Sequence, residues 1–290
     1  MIEQALYEHL KSQDVLRPFM ALYNGEMAVF NQEAPADTDP FWNDGPQYGR
    51  LVFAVDLQGD PERIMGGQLS VDILCKEDEQ VPEDIEPILR SLIHGYFFSS
   101  GTFTVAAQWK NSNYFTQPTD EVTGCTMTFD LLAFPLMRTS TPDIISRINA
   151  WTKARFPALH VINLDELPAA AWKPAGGDSA IYWRLGLKAP AKWIPDTFQT
   201  VWRTATIKGH VFSEDVATVA DVADMVTIRL YADKRLMKEG ETPIMVNRDN
   251  RSDPAADPLR AGQITVDATY AVIVYFGPDN MLKNINYEDN

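Results

Sequence analysis

A chain of 290 residues with 45% hydrophobic and 22% charged content is long and apolar enough for two folded domains and is not a disordered polymer. Its formal net charge of −15 argues against a broad nucleic-acid-binding face and against an anionic membrane surface as partner, because contacts to phosphate need clustered Lys and Arg. The charge is uneven: residues 1–140 hold 8 Lys and Arg against 21 Asp and Glu, a net −13, and the remaining 17 and 19 leave −2. The first half is therefore either an ordinary solvated acidic surface, or it faces or lines a passage for something negative.

In chain order, the spacing of Ile2, Ala5, Leu6, His9 and Leu10 predicts a helix over Ile2–Lys11, ended by Arg17-Pro18. His9 on that stripe reads as a core-edge histidine rather than a ligand. Phe19–Tyr23 predicts a short strand. Asn31–Gln47 predicts a long loop holding Pro35, Pro40 and Pro46, the acids Glu33, Asp37, Asp39 and Asp44, and the aromatics Phe41 and Trp42. Aromatics in an ordered loop are either partner contacts or part of a loop folded back over its own core.

Arg50–Asp56 and Gln68–Leu74 alternate apolar and polar residues as half-buried strands do, with Gln68, Ser70 and Asp72 on one face and Leu69, Val71 and Ile73 on the other. Glu77, Asp78 and Glu79 open an acidic stretch to Glu86 that reads as the entry of a second helix, where acids complement the dipole. Ile85, Ile88, Leu89, Leu92 and Ile93 give its buried stripe. Thr102–Trp109 and Cys125–Phe134 predict strands joined by an Asn-, Thr- and Pro-rich loop, and Leu136–Ser140 a hinge.

The order then starts again. Thr141-Pro142-Asp143 predicts the cap of a third helix running to Arg155, with Ile144, Ile145, Ile148, Trp151 and Phe156 inward. Ala180–Ala189 matches the Arg50–Asp56 strand, and Thr204–Ser213 matches Met65–Leu74. Ser213-Glu214-Asp215 caps a fourth helix whose stripe is Val219, Val222, Ala223, Val226 and Leu230. Ile244–Val246 and Gln263–Phe276 close the sheet, and Asp279–Asn290 reads as a frayed tail. The expectation is an α+β (α/β mixed) fold in two tandem copies of a helix-strand-strand-strand-helix-strand-strand domain, residues 1–137 and 138–290.

Sequence chemistry points away from an enzyme. His9, His94, His160 and His210 lie far apart, with no metal-ligand spacing, and Cys75 and Cys125 are too few for a disulfide framework. Gly66-Gly67 and Gly176-Gly177 are turns, not phosphate loops, and no nucleophile elbow occurs. No catalytic residue, cofactor or metal is expected. The opening residues lack a signal-peptide pattern and no stretch reads as a membrane span, so a reducing cytoplasm is the default expectation.

The element order resembles that of the tail terminator, or tail completion, proteins of tailed bacteriophages. Met1-Ile2-Glu3-Gln4-Ala5-Leu6-Tyr7-Glu8-His9-Leu10 is similar to their opening helix, Gly67-Gln68-Leu69-Ser70-Val71-Asp72-Ile73 to their third strand, and Thr126-Met127-Thr128-Phe129-Asp130-Leu131 to their last. The resemblance covers residues 1–135 best and extends to 141–276 in element order. It departs from the family in length, since one such domain is usual.

The resemblance implies a virion protein of the tail neck, assembled in the host cytoplasm. It would form a ring on the head-proximal end of the tail tube, end tube growth, and present the docking surface for the head. The implied partners are further copies of itself (six chains, with three an alternative), the tube protein, the head-tail connector, and genome DNA passing through without specific binding. Asp37, Asp39, Phe41, Trp42, Asp44, Glu77, Asp78 and Glu79 are the candidate lumen or interface residues. The competing expectations are another tube-like tail or baseplate component and, from a different class, a small-molecule-binding or catalytic α+β pair.

Overall fold

The computed structural model describes residues 2–42, 48–58, 65–77, 80–100, 103–117, 121–137, 142–197, 199–237 and 242–274. It is a mixed α+β fold. The chain divides into two compact units: one is Met1–Leu136 with Glu166–Lys173, the other Met137–Asp165 with Pro174–Asn290. The division thus falls near the expected hinge, of which Arg138, Thr139 and Ser140 lie outside the described residues.

In the first unit α1 (Ile2–Lys11) is followed by a 3-10 turn over Asp14–Phe19 and a two-residue-per-arm hairpin, β1 (Leu22–Tyr23) and β2 (Glu26–Met27). Of the strand expected over Phe19–Tyr23 only Leu22–Tyr23 forms, because the 3-10 segment runs to Phe19, and Pro18 inside it has no N–H to give a ladder. The strands of the main sheet are β3 (Val29–Asn31), β4 (Arg50–Leu57), β5 (Met65–Lys76), β6 (Phe97–Ser99), β7 (Thr104–Gln117) and β8 (Val122–Ala133). Helix α2 (Pro82–Ile93) lies between β5 and β6.

The second unit has α3 (Ile144–Arg155), then β9 (His160–Val161). Next comes β10 (Ala171–Trp172), which pairs with β6 and so belongs to the first unit's sheet. The second sheet continues with β11 (Ser179–Pro190), β12 (Thr200–Ser213), α4 (Val216–Asp233), β13 (Arg235–Leu236), β14 (Ile244–Val246), β15 (Arg251–Ser252) and β16 (Ile264–Ile273).

The strand orders are β10-β6-β7-β8-β5-β4-β3 and β13-β14-β16-β12-β11-β9, with β15 on β16. Leaving out β10 and β15, the two sheets have the same connectivity. The first strand of each sheet in chain order pairs parallel with that sheet's second, in β3–β4 and in β9–β11, and every other pair is antiparallel. A second helix separates the third strand from the fourth in both. Apart from β10 and β15, each sheet therefore has three strands after its second helix among the described residues, not the two read from the sequence. The extra ones, β6 and β13, are too short to show an alternating pattern.

The alternation along the strands gives each sheet one apolar face. Leu69, Val71 and Ile73 of β5 and Cys125, Met127, Phe129 and Leu131 of β8 pack with Ile85, Leu89 and Ile93 of α2 and with Leu6 and Leu10 of α1. In the second unit Ile181, Trp183, Ala205, Ile207, Val266 and Ala268 pack with Ile144, Ile145 and Ile148 of α3 and Ala223, Val226 and Leu230 of α4. Ile88, Leu92 and Trp151 lie at the core margins, half-buried.

The helix entries are set by their caps, and that of α4 falls within the expected Ser213-Glu214-Asp215. Asp143 caps α3, its carboxylate accepting from the Ser146 N–H at 3.1 Å, and Thr141, the expected cap, lies outside the described residues. Asp215 caps α4 in the same way, from Thr218 at 2.8 Å. Helix α2 begins at Pro82, so only Glu83 and Asp84 stand in its first turn; Glu77 is a turn residue before it.

Candidate functional site

The acidic loop of the first unit is tied back to its own sheet. Trp42 is 3% exposed, its indole N–H donates to the Ala36 carbonyl at 3.0 Å, and its ring meets Tyr23 at 4.9 Å and Phe30 at 5.7 Å. With Ala21 and Ala28 these rings form a small satellite core. Of the two expectations for the loop aromatics, Trp42 meets the folded-back one, whereas Phe41 is 53% exposed with its ring edge-on to Tyr23 at 5.9 Å.

Two of the loop carboxylates, Asp37 and Asp39, are engaged. Asp39 accepts from the Phe41 N–H at 2.9 Å, which fixes the 3-10 turn Pro40–Trp42. Burial, then the Asp39 carboxylate, push the Tyr23 phenol above its ordinary value. Asp37 accepts from the Tyr48 hydroxyl at 2.9 Å and from Arg50 at 2.8 Å. The Arg50 guanidinium also lies 4.8 Å from the Tyr48 ring centroid. Asp37 is therefore no bare anion, because Arg50, 13 residues away, closes an ion pair on it.

Asp44, Asp78 and Glu79 lie outside the described residues. Glu77 is exposed, and its N–H donates to the Glu121 carbonyl at 2.9 Å. Lys76 bridges the two regions: its ammonium is 3.3 Å from the Glu121 carboxylate and 5.9 Å from the Tyr48 ring centroid. The start of β4, the end of β5 and the start of β8 thus bring Asp37, Glu77 and Glu121 to one end of the first sheet, with Arg50 and Lys76 among them.

A second polar surface was legible only in part. The faces of β5 and β8 away from the core carry Gln68, Ser70, Asp72, Thr126, Thr128 and Asp130 in cross-strand register. The Thr126 hydroxyl donates to Asp72 at 2.6 Å, and Lys110 lies 3.4 Å from Asp130. The second sheet repeats the arrangement with its partners exchanged, Thr206 of β12 donating to Asp267 of β16 at 2.6 Å. Alternation identified Gln68, Ser70 and Asp72 as one face; the pairing partners need the strand register, which no local pattern gives.

The buried titratable groups are structural in their geometry. Cys75 and Cys125 are free, and burial, then nearby acids, push both thiols up to about 11. His9 donates from Nε2 to the Leu92 carbonyl, 2.8 Å away, beside the Tyr96 ring. His210 is 1% exposed. Its Nδ1 contacts the Pro258 carbonyl at 2.6 Å and its Nε2 accepts from Arg184 Nε at 2.8 Å, which makes Nδ1 the protonated nitrogen.

The second unit also has an open groove of about 580 Å³ lined by Ala150, Trp151, Ala154, Arg155, Asp233, Arg235 and Met237. Burial raises the Asp233 carboxyl, but the Trp151 N–H at 2.9 Å with Arg155 and Arg229 outweighs this and holds it below its ordinary value. Such a carboxylate is a fixed anion, poorly suited to giving or taking protons near neutrality. Among the described residues no group of three or more His, Cys, Asp or Glu is arranged to hold a metal ion, and no helix is long and apolar enough to cross a membrane. No protein-family model, curated protein or solved structure matches this chain.

Proposed function

We propose that this protein is a structural component of a phage tail, a ring that caps the head-proximal end of the tube, ends its polymerisation and presents the surface on which the head docks. The observation that carries the reading is the shared connectivity of the two units, α-β-β-β-α-β-β-β with one parallel edge pair in each. We read it as a duplicated domain of the kind the opening helix and the third and last strands resemble. Two like units in one chain suit quasi-repeated positions in a closed assembly, where a chemical site would need only one cleft.

Capping is a matter of surfaces. Tube subunits add through exposed faces, and a ring that satisfies one face without offering it again ends growth. The acidic first unit would hold genome DNA off the lumen wall; repulsion is screened beyond roughly 8–10 Å at physiological salt, so only acids close to the passage matter. The polar face with Asp72 and Asp130 and the sheet end with Asp37 and Glu77 are the candidates for that wall. Asp37 is the weakest of them, because Arg50 already neutralises it. Unequal charges of the two halves favour six chains with the second unit in an outer layer over three chains with alternating units.

The groove at Trp151 and Arg155 is the observation that favours the rival class, a small-molecule-binding or catalytic protein. Its one carboxylate is held in ion pairs, which weighs against acid–base work there. Deleting the gene from the phage that encodes it separates the readings. The capping role requires tails of irregular length that fail to join heads; tails of normal length, joined normally, would leave the rival class standing.

A further inference from the structure

The β7–β8 hairpin runs well past the strand that flanks it. β6 pairs with β7 only at Thr104, Val105 and Ala106. Gly95, Tyr96 and the His94 ring then take the outward groups of Ala107 and Trp109. A bulge follows between Trp109 and Asn111, after which β7 stays paired with β8 as far as Gln117, opposite Val122. Nothing among the described residues pairs with its other side. The topologically equivalent strand β14 has 3 residues, against 14 in β7.

Strand parity identifies the open groups. The Leu74 carbonyl accepts from Gly49, so even-numbered residues of β5 aim their backbone groups towards β4 and odd-numbered ones towards β8. Cys125, opposite Ile73, therefore bonds to β5, and Tyr114, opposite Cys125, aims its N–H and C=O away from β8. Ser112 and Thr116, opposite Met127 and Thr123, do the same.

Open edges are ordinarily guarded by charge, proline, bulges or brevity. The outer edge of β11 has a bulge between Leu185 and Leu187, then Lys188, and it ends at Pro190. The open end of β4 carries Asp56. Asn111-Ser112-Asn113-Tyr114-Phe115-Thr116-Gln117 has no charged residue, proline or glycine, in a chain that is 22% charged.

We propose that the outer edge of β7 docks a second copy of this chain, whose own β7 adds antiparallel across a two-fold axis at Tyr114. The edge is self-complementary. Tyr114 faces Tyr114, Ser112 faces Thr116, and every open backbone group of these residues in both copies finds a partner. Asn111 falls opposite Gln117 and Asn113 opposite Phe115, so no two carboxylates are paired along the strands themselves; Glu86, which accepts from the Ser112 hydroxyl at 2.7 Å, stands on α2 beside them. The contact is narrow, so association is weak and concentration-dependent. A two-fold contact is not the repeating contact of a cyclic ring, so the inference does not rest on the capping role and survives its failure.

Sedimentation equilibrium of the full chain tests this beside the Tyr114→Pro variant. Among the described residues the Tyr114 N–H makes no bond, so proline removes the docking donor without breaking a bond of the sheet, and an unchanged circular dichroism spectrum checks the fold. Wild type should show a monomer–dimer equilibrium, and the variant should weaken it about tenfold or more. Mixing Ser112→Cys with Thr116→Cys protein under mild oxidation should give a disulfide-linked dimer that neither variant gives alone, because only the mixture puts the two sulfurs in register. A wild type that stays monomeric at every concentration, an association indifferent to proline, or equal cross-linking by each variant alone would overturn the proposal.

Discussion

His210 sets a pH dependence that can be worked out from its surroundings. Burial, the largest effect, drives its imidazole from the ordinary 6.5 down to about 4; the Pro258 carbonyl opposes this, and Arg184 adds to it. Asp257 and Lys208 act weakly, in opposite senses. A depressed histidine means that the unfolded chain binds the proton more readily than the folded one. Its contribution is therefore complete above pH 6.5 and is lost as pH falls through about 4. A shift of about 2.5 units at about 1.4 kcal/mol each makes this loss roughly 3 kcal/mol. His9 and His94, also lowered by burial, act in the same direction, so the wild-type slope alone does not isolate His210. The variant His210→Gln does, since its amide keeps one donor and one acceptor but does not titrate. Hydrogen exchange of the β11 and β12 amides, corrected for intrinsic rates, reads the second unit without assuming that the chain unfolds in one step. Between pH 7 and 4 wild type should lose about 3 kcal/mol more protection there than the variant. Equal losses would show that His210 takes up its proton in the folded state and that the reasoning is wrong.

Other perturbations follow from the packing. Leu89→Ala should cost about 2–5 kcal/mol in denaturant unfolding, and the half-buried Leu92→Ala clearly less; equal costs would mean that the α2 stripe is rotated. At Gly67 φ is +128° and an added Cβ would lie 1.8 Å from the Asp56 carbonyl oxygen, so Gly67→Ala should lower the melting temperature measurably. Asp215→Ala removes a helix cap and should lower the melting temperature, with Asp215→Ser close to neutral. Replacing Asp37, Asp39 and Asp44 with Lys should leave tail assembly intact and impair DNA delivery if the loop flanks the passage. Failure of assembly alone would assign the loop to a protein contact, and no effect would make it ordinary surface.

What the sequence disclosed and what it hid divide along physical lines. Helix Ile2–Lys11 was legible to the residue, because an amphipathic stripe ends there near a proline. The faces of Gln68–Leu74 were legible because alternation is a local property, and the correspondence of Arg50–Asp56 with Ala180–Ala189 agrees with the positions of β4 and β11 in their sheets. The far half of β7 was hidden: an Asn-, Ser- and Thr-containing run reads as loop, and only pairing with β8 makes it a strand. Strand β10 was hidden for the same reason, since the two residues that join β6 have no periodicity. At the candidate site the acids themselves were visible, whereas their neutralisation depends on contacts such as Arg50 with Asp37 that close only in the folded chain.

The central proposal is that this chain caps a phage tail tube, and the most direct measurement is made on polymerising tail-tube protein encoded in the same genome. Purified protein is added during growth, and tube length and ends are followed by electron microscopy. The account predicts that elongation stops at substoichiometric protein, with a ring of density at one end of each tube and none along its side. Tubes that grow to the same length with bare ends would contradict it.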